Sequence, residues 1–269
     1  MQYQRDELVR FWEHHDEGLD VSRPQALVSL SHDLYRRIPP GFNLFFHFAQ
    51  RLAVQPLLVA GRPKPGQLVL DIGCGTGRWA RMCQRYGLRT VGVDLGARAL
   101  RAAKRLAPDG EWARNCLPHL SFRSCVFDWA VSVTVLQHIT YEEQLGCLLE
   151  VYRVLRPHGK FVVLELSRAE HRAPHVFARS REDWEALFTR AGFAIVARTG
   201  SERVPWVEIA RWLRRFIAPD QPGKSWLPGR SAHLAAPAFV LLAAVAELAA
   251  TALRVDRWTR YTGWLLTRA

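Results

Sequence analysis

The stretch Leu68-Val69-Leu70-Asp71-Ile72-Gly73-Cys74-Gly75-Thr76-Gly77-Arg78-Trp79 constrains the fold of this chain more than any other. Its apolar opening reads as a buried parallel strand closed by an acid. Three glycines at alternate positions then turn the backbone and open a helix running from about Thr76 to Gln84. Backbone without Cβ atoms lets a ligand come close, and a helix N-terminus attracts a negative group. A second strand, Thr90-Val91-Gly92-Val93-Asp94, also ends in an acid. A carboxylate at that strand tip is placed to hold both hydroxyls of a ribose.

Single positions exclude the neighbouring nucleotide motifs. A G-x-G-x-x-G fingerprint would need its last glycine where Arg78 stands, and no G-K-[ST] follows for a P-loop. A length of 269 residues suits one large α/β domain, with or without a cap, and 49% hydrophobic residues exclude disorder. The charged start Met1 to Glu7 lacks the apolar core of a signal peptide, so a cytoplasmic setting is expected. The five cysteines, Cys74, Cys83, Cys116, Cys125 and Cys147, form no C-x-x-C pair and no metal-ligand spacing. They read as reduced thiols, and no metal is expected. The net charge of +12 is carried mainly by scattered arginines, with no basic block of five or more. That pattern argues against a nucleic-acid partner. It leaves open an arginine-rich background or an attraction to anionic lipid or an acidic substrate.

Around the glycine turn, periodicity predicts an α/β order. Tyr3 to His15, Ala26 to Arg37 and Phe42 to Val59 read as helices of an N-terminal cap over residues 1–60, with Pro39-Pro40-Gly41 as a break. Residues 61–200 read as the core. Val126 to Val133 is its fourth strand. Thr140-Tyr141-Glu142-Glu143 is a capping box opening a helix to about Leu155. Pro157-His158-Gly159 is a turn before a strand from Lys160 to Leu166, and Glu182 to Ala191 is a helix stopped by Gly192. Phe193 to Arg198 is the next strand. Residues 201–257 read as helical.

The glycine turn, with Asp94 after the second strand, resembles the class I S-adenosylmethionine-dependent methyltransferases. The resemblance implies a Rossmann-like, seven-stranded, mostly parallel sheet with an antiparallel last strand, and S-adenosyl-L-methionine as cofactor. It places that strand at Tyr261 to Thr267, within residues 258–269, and makes residues 201–257 a helical insertion before it. It implies that Asp71 anchors the methionine amino end and that Gly73, Cys74, Gly75 and Gly77 lie along the methionyl and ribose portions. Asp94 would bind the ribose diol, with Leu95 beside the adenine. The family's third acidic motif is replaced by Trp112-Ala113-Arg114-Asn115-Cys116-Leu117-Pro118, which offers adenine contacts at Asn115 and Cys116. Val133 to Ile139 matches the segment that passes under the methionine and faces the acceptor. Thr134 and Gln137 are its cofactor-side residues.

His138 is the leading acid/base candidate in that segment, with plain packing beside the cofactor as the alternative. Glu165, near the end of the fifth strand, is expected to point to the ligand edge. The cap and insertion supply His32, Tyr35 and Trp206 as substrate candidates, with His14, His15, His171 and His175 behind them. The N/D-P-P-[FY] signature of amino-group methylation on bases and glutamine is absent, since Thr134-Val135-Leu136-Gln137 stands after the fourth strand. The expected reaction is methylation of a small, hydrophobic acceptor, first at oxygen, then at nitrogen or carbon, in secondary-metabolite, isoprenoid or lipid biosynthesis. Coupled chemistry such as cyclisation, or cofactor binding without catalysis, is the alternative. Leu234 to Leu253 is strongly apolar. It is expected to pack over the carboxyl edge of the sheet or against a second copy in a homodimer. Peripheral membrane contact is the competing expectation, and Glu247 argues against a span.

Overall fold

The computed structural model describes residues 5–14, 40–168, 174–202, 229–253 and 259–269. Its strands are β1 (Leu68–Ile72), β2 (Arg89–Asp94), β3 (Glu111–Arg114), β4 (Phe127–Val133), β5 (Leu155–Leu166), β6 (Phe193–Ser201) and β7 (Tyr261–Arg268). They form one 7-stranded sheet in the order β3-β2-β1-β4-β5-β7-β6. The first five strands run parallel, and β7 lies antiparallel between β5 and β6. This is the architecture the glycine turn and strand order imply.

Both faces of the sheet are covered, as parallel strands require. The helices are α1 (Arg5–His14), α2 (Pro40–Ala60), α3 (Arg78–Gln84), α4 (Ala97–Leu106), α5 (Tyr141–Val154), α6 (Arg181–Arg190) and α7 (Gly229–Ala252). Helices α2 and α3 bring Val54, Leu57, Leu58, Trp79 and Met82 against Val69, Val131 and Leu265. Helices α5 and α6 bring Leu148, Val151, Trp184 and Phe188 against Leu70, Ala130 and Trp264. Adjacent strand residues such as Val69 and Leu70 therefore serve opposite layers, the period-2 consequence of the pleat.

Several local expectations change. Pro40 opens α2 instead of breaking the chain, because a proline's missing N–H costs nothing in a helix's first turn. The cap assigned to residues 1–60 is divided, since α2 belongs to the core layer. Thr140 is the N-cap of α5, but its hydroxyl donates to the Glu143 carboxylate at 3.1 Å instead of accepting from a backbone N–H. Pro157-His158-Gly159 lies within β5 as a bulge. Pairing jumps from Phe127–Leu155 to Trp129–Lys160, and His158 adopts φ 62°.

Helix α7 packs chiefly against α2. Among the described residues no helix is long and apolar enough to cross a membrane.

Candidate functional site

Strand order reverses between β1 and β4, which opens a crevice at their carboxyl ends. The glycine loop lines it. Gly73, Gly75 and Gly77 take φ of 63°, 52° and 75°, the left-handed region that favours glycine. Gly73 and Gly75 are half-buried, whereas Cys74, Thr76 and Gly77 are buried. A Cβ on Gly73 would stand 2.4 Å from Val135 Cγ2, so the loop abuts the segment after β4.

The side chains at the two acidic positions do different things. Asp94, half-buried at the tip of β2, accepts N–H bonds from Gly75 and Gly96, both at 2.8 Å. It ties the glycine loop to the start of α4. Asp71 is 1% exposed, and its Oδ2 accepts the N–H of Ala80 in the first turn of α3 at 2.9 Å. That helix has Gly77 as N-cap and no side-chain cap of its own. A carboxylate there is favoured by the helix dipole. Burial, with Asp71 nearby, raises the Cys83 thiol well above its usual range.

Two expected cofactor residues are buried. A Cβ on Gly77 would meet Trp112 at 2.6 Å, and the same indole covers Gly92 and Gly110. Gly77 is therefore part of the packing between α3 and β3. Cys74 turns its thiol inward, 2% exposed, and its N–H donates to Val93 O at 3.0 Å. Leu95, Asn115 and Cys116 remain half-buried around Asp94. The Asn115 N–H donates to Asp94 O at 3.2 Å, and its Oδ1 accepts from Cys116 N at 2.9 Å.

The other wall follows β4. Thr134 has φ 59°, its N–H donates to Leu164 O at 2.7 Å and its hydroxyl to Val133 O at 2.7 Å. A non-glycine residue in this region stores backbone strain, held here by those two bonds. The single turn Leu136–His138 follows.

Glu165 is fully buried beneath that turn, a correction to its expected exposure at the ligand edge. It accepts N–H bonds from Val135 at 3.1 Å, Leu136 at 2.9 Å and Gln137 at 3.1 Å. Burial pushes its carboxyl up to about 8, against the pull of those bonds. Gln137 is buried too, another correction. Its Oε1 accepts from Leu166 N at 2.8 Å, which turns its amide nitrogen to His138 Nε2 at 3.3 Å. The opposite ring nitrogen, Nδ1, lies 2.8 Å from His175 O. Together these partners assign Nδ1–H as donor and Nε2 as acceptor.

An aromatic cluster that residue patterns alone had missed lies over this histidine. Trp12 of α1 stands 4.6 Å from His138, Phe11 stacks on His175 at 4.9 Å, and the two histidines lie 5.6 Å apart. Glu13 pairs with Arg114, the last residue of β3 and the partner of Asp94 in the sheet, at 2.6 Å. Burial lowers the basicity of His175. The only local signal was an aromatic pair on a short amphipathic helix. His14 is exposed and bonds Arg10 O at 2.7 Å, away from the cluster. His15, His32, Tyr35, His171 and Trp206 lie outside the described residues. Among the described residues no three His, Cys, Asp or Glu side chains are grouped as metal ligands would be.

These donors fit S-adenosylmethionine. A part-exposed carboxylate tied across a Cβ-free loop suits a ribose diol, and the left-handed glycines leave the crevice floor as bare backbone.

Comparison with known proteins agrees. Residues 70–163 match the family model described as a methyltransferase domain. The chain is similar to the demethylmenaquinone methyltransferase of Renibacterium salmoninarum, 32% identical over 158 residues, 58% of this chain and 62% of that protein. It spans about a fifth to three-fifths the length of the curated relatives it matches. Its fold is similar to that of the Haemonchus contortus phosphoethanolamine N-methyltransferase 2 in complex with S-adenosyl-L-methionine. The TM-score is 0.57 at 20% identity, covering 96% of this chain and 60% of that one. It is also similar in fold to the [4+2]-cyclase SpnF, with TM-score 0.54 at 20% identity and 80% of each chain covered. Residues 70–163 carry a methyltransferase domain, set in the reversed, β7-inserted sheet of the class I S-adenosylmethionine-dependent methyltransferase fold.

Proposed function

We propose that this protein transfers a methyl group to a small, apolar acceptor, at oxygen first. The observation that carries the reading is His138, held as its Nδ1–H tautomer at the tip of β4 under an aromatic wall. When bound, S-adenosylmethionine supplies a methyl group already activated on a sulfonium. With the cofactor bound, Asp94 would hold the ribose diol and Asp71 the methionine amino end. Gly73 and Gly75 would admit the methionyl backbone, with Leu95, Asn115 and Cys116 around the adenine, and Thr134 would close the methionine side. His138 Nε2, on release of the Gln137 amide, would take the proton that an acceptor hydroxyl loses. Glu165 and Gln137 position that ring without touching the reactants. In-line placement of acceptor and methyl supplies most of the acceleration, so no metal or covalent intermediate is required.

Phe11 and Trp12 favour a planar, unsaturated acceptor, which is also the direction of the similarity to a demethylmenaquinone methyltransferase. His32, Tyr35 and Trp206 remain proposed substrate contacts. The cysteines form no disulfide among the described residues, which suits a reducing, cytoplasmic setting. A role in secondary-metabolite, isoprenoid or lipid biosynthesis goes with the apolar acceptor. A cyclisation reading has only likeness of fold behind it.

The test is calorimetric binding of S-adenosylhomocysteine, followed by transfer of labelled methyl to a panel of phenolic and aliphatic acceptors. His138→Ala should cut turnover by about 10²–10⁴ and leave cofactor affinity intact. Equal losses in both would make His138 a packing residue and overturn the base assignment.

A further inference from the structure

Helix α2 climbs toward the cofactor crevice as it is followed back from its C-terminal end. Leu57 abuts Gly263 of β7, where a Cβ would stand 3.0 Å from Leu57 Cδ1. One turn earlier, Ala53 O accepts the Thr199 hydroxyl at 3.0 Å. Thr199 pairs with Gly263, and Gly263 with Leu164 near the carboxyl end of β5. Each further turn rises about 5.4 Å. Gln50 and His47 therefore stand at and above the carboxyl edge. They share a helix face with Val54, which packs with Trp79 of α3. The His47 ring lies 5.8 Å from that of Trp79.

Arg78 meets them there, as the first residue of α3, directly after the glycine loop. It is 6% exposed, and its guanidinium carbon lies 4.7 Å above the Trp79 ring. Its Nη1 stands 3.1 Å from His47 Nδ1. A guanidinium only donates, so Nδ1 accepts, and His47 carries its proton on Nε2. That bond orients the cation without cancelling its charge. A planar guanidinium held beside a ligand crevice suits a carboxylate. Gln50 supplies the opposite half. Its side chain is buried, and its Oε1 accepts no hydrogen bond among the described residues. A buried acceptor in that state is costly until an N–H reaches it. An amino-acid group, with carboxylate and ammonium on one carbon, answers both residues at once.

The geometry points to Arg78 as the residue that takes the carboxylate of the cofactor's methionine end. Gln50 Oε1 takes an N–H of its ammonium beside Asp71, and His47 holds the guanidinium in place. This subsite rests on the cofactor placement proposed above and is measured without an acceptor.

The experiment is calorimetric titration of the full chain with S-adenosylhomocysteine, with its decarboxylated amine, and with methylthioadenosine, which lacks the whole amino-acid end. Removing the carboxylate should cost wild type about ten- to a hundredfold in affinity, the scale of hydrogen bonds to a charged group. Arg78→Met should weaken S-adenosylhomocysteine by the same factor and leave methylthioadenosine unchanged. Arg78→Lys should recover part of the loss, because it keeps the charge without the fork. Gln50→Leu should weaken S-adenosylhomocysteine and the amine alike, again sparing methylthioadenosine. Wild type that binds S-adenosylhomocysteine no better than the amine overturns the subsite, whatever the variants do. So does an Arg78→Met protein that weakens every ligand equally, as loss of packing would. Wild type that binds methylthioadenosine but gains nothing from the amino-acid end overturns the subsite alone. Wild type that binds none of these ligands overturns the cofactor placement and the subsite with it.

Discussion

Asp94 and Glu165 both sit near strand ends, and their surroundings give them opposite work. Asp94 keeps part of its carboxylate at the crevice while holding Gly75 and Gly96. Asp94→Ala should weaken S-adenosylhomocysteine binding by about 1.5–3 kcal/mol in calorimetry, the scale of hydrogen bonds to a charged group. Unchanged affinity would remove it from the site. Glu165 has its carboxylate consumed by backbone N–H groups, and its proton is held up to about 8 from an ordinary 4.5. A raised carboxyl pKa means that the folded state binds the proton more tightly than the unfolded chain. Its contribution to stability is therefore full below about pH 4.5 and is lost as pH rises through about 8. Glu165→Gln does not titrate. The melting-temperature difference between wild type and this variant should move against wild type across that window and level off above it. A difference that stays flat would mean that the carboxyl ionises at an ordinary pH.

At the scale of elements, the β2–β3 corner is organised by one indole. Trp112 fills the space left by Gly77, Gly92 and Gly110, and its Nε1 donates to Ala107 O at 3.2 Å. A Cβ on Gly92 would lie 2.3 Å from the Trp112 ring. Gly92→Ala should destabilise by about 1–3 kcal/mol in urea melts, the usual cost of overpacking. Trp112→Leu should restore much of the loss in the double variant, as coupling between touching residues requires. Helix α1 is held to the site by Glu13–Arg114 and by the ring contacts of Phe11 and Trp12. Trp12→Ala should raise KM for a planar acceptor several-fold, matching about 0.5–1.5 kcal/mol for an aromatic pair, and leave S-adenosylhomocysteine affinity unchanged. Equal effects on both ligands would place α1 in the general packing.

The whole molecule is closed by its last strand. β7 pairs along its length with β5 and β6, so it joins the edge strand β6 to the rest of the sheet. Trp264 is fully buried there, 5.2 Å from Phe188, with its Nε1 donating to Glu185 at 3.0 Å. Glu185 is further fixed by Arg198, which holds its carboxyl below the usual range. Trp264→Ala should cost about 3–5 kcal/mol, a large part of the roughly 5–15 kcal/mol that separates folded from unfolded chains. Urea unfolding measures it, and a loss under about 1 kcal/mol would show that β7 contributes little to the sheet.

Local chemistry by itself determined β1, β2, β4, β6 and most of β5, the glycine turn and the acid after β2. Apolar runs bounded by Gly and Asp, and a loop that needs left-handed backbone, are properties of neighbouring residues. The short β3 carried no such pattern, and the remote strand at Tyr261 was placed by the family resemblance. Tertiary structure decided the rest, because the deciding contacts join residues far apart in the chain. Gly77 looked like a ligand contact until Trp112 was seen to occupy its space. Glu165 looked catalytic until the turn after β4 folded over it and left it no exposed oxygen. The wall over His138 needed Phe11 and Trp12 to meet residues beyond β4 and β5. Which side of α7 faces inward was also undecided. A helix of leucines and alanines has no polar face to set its rotation, and only contact with α2 turned Glu247 inward and the leucines out.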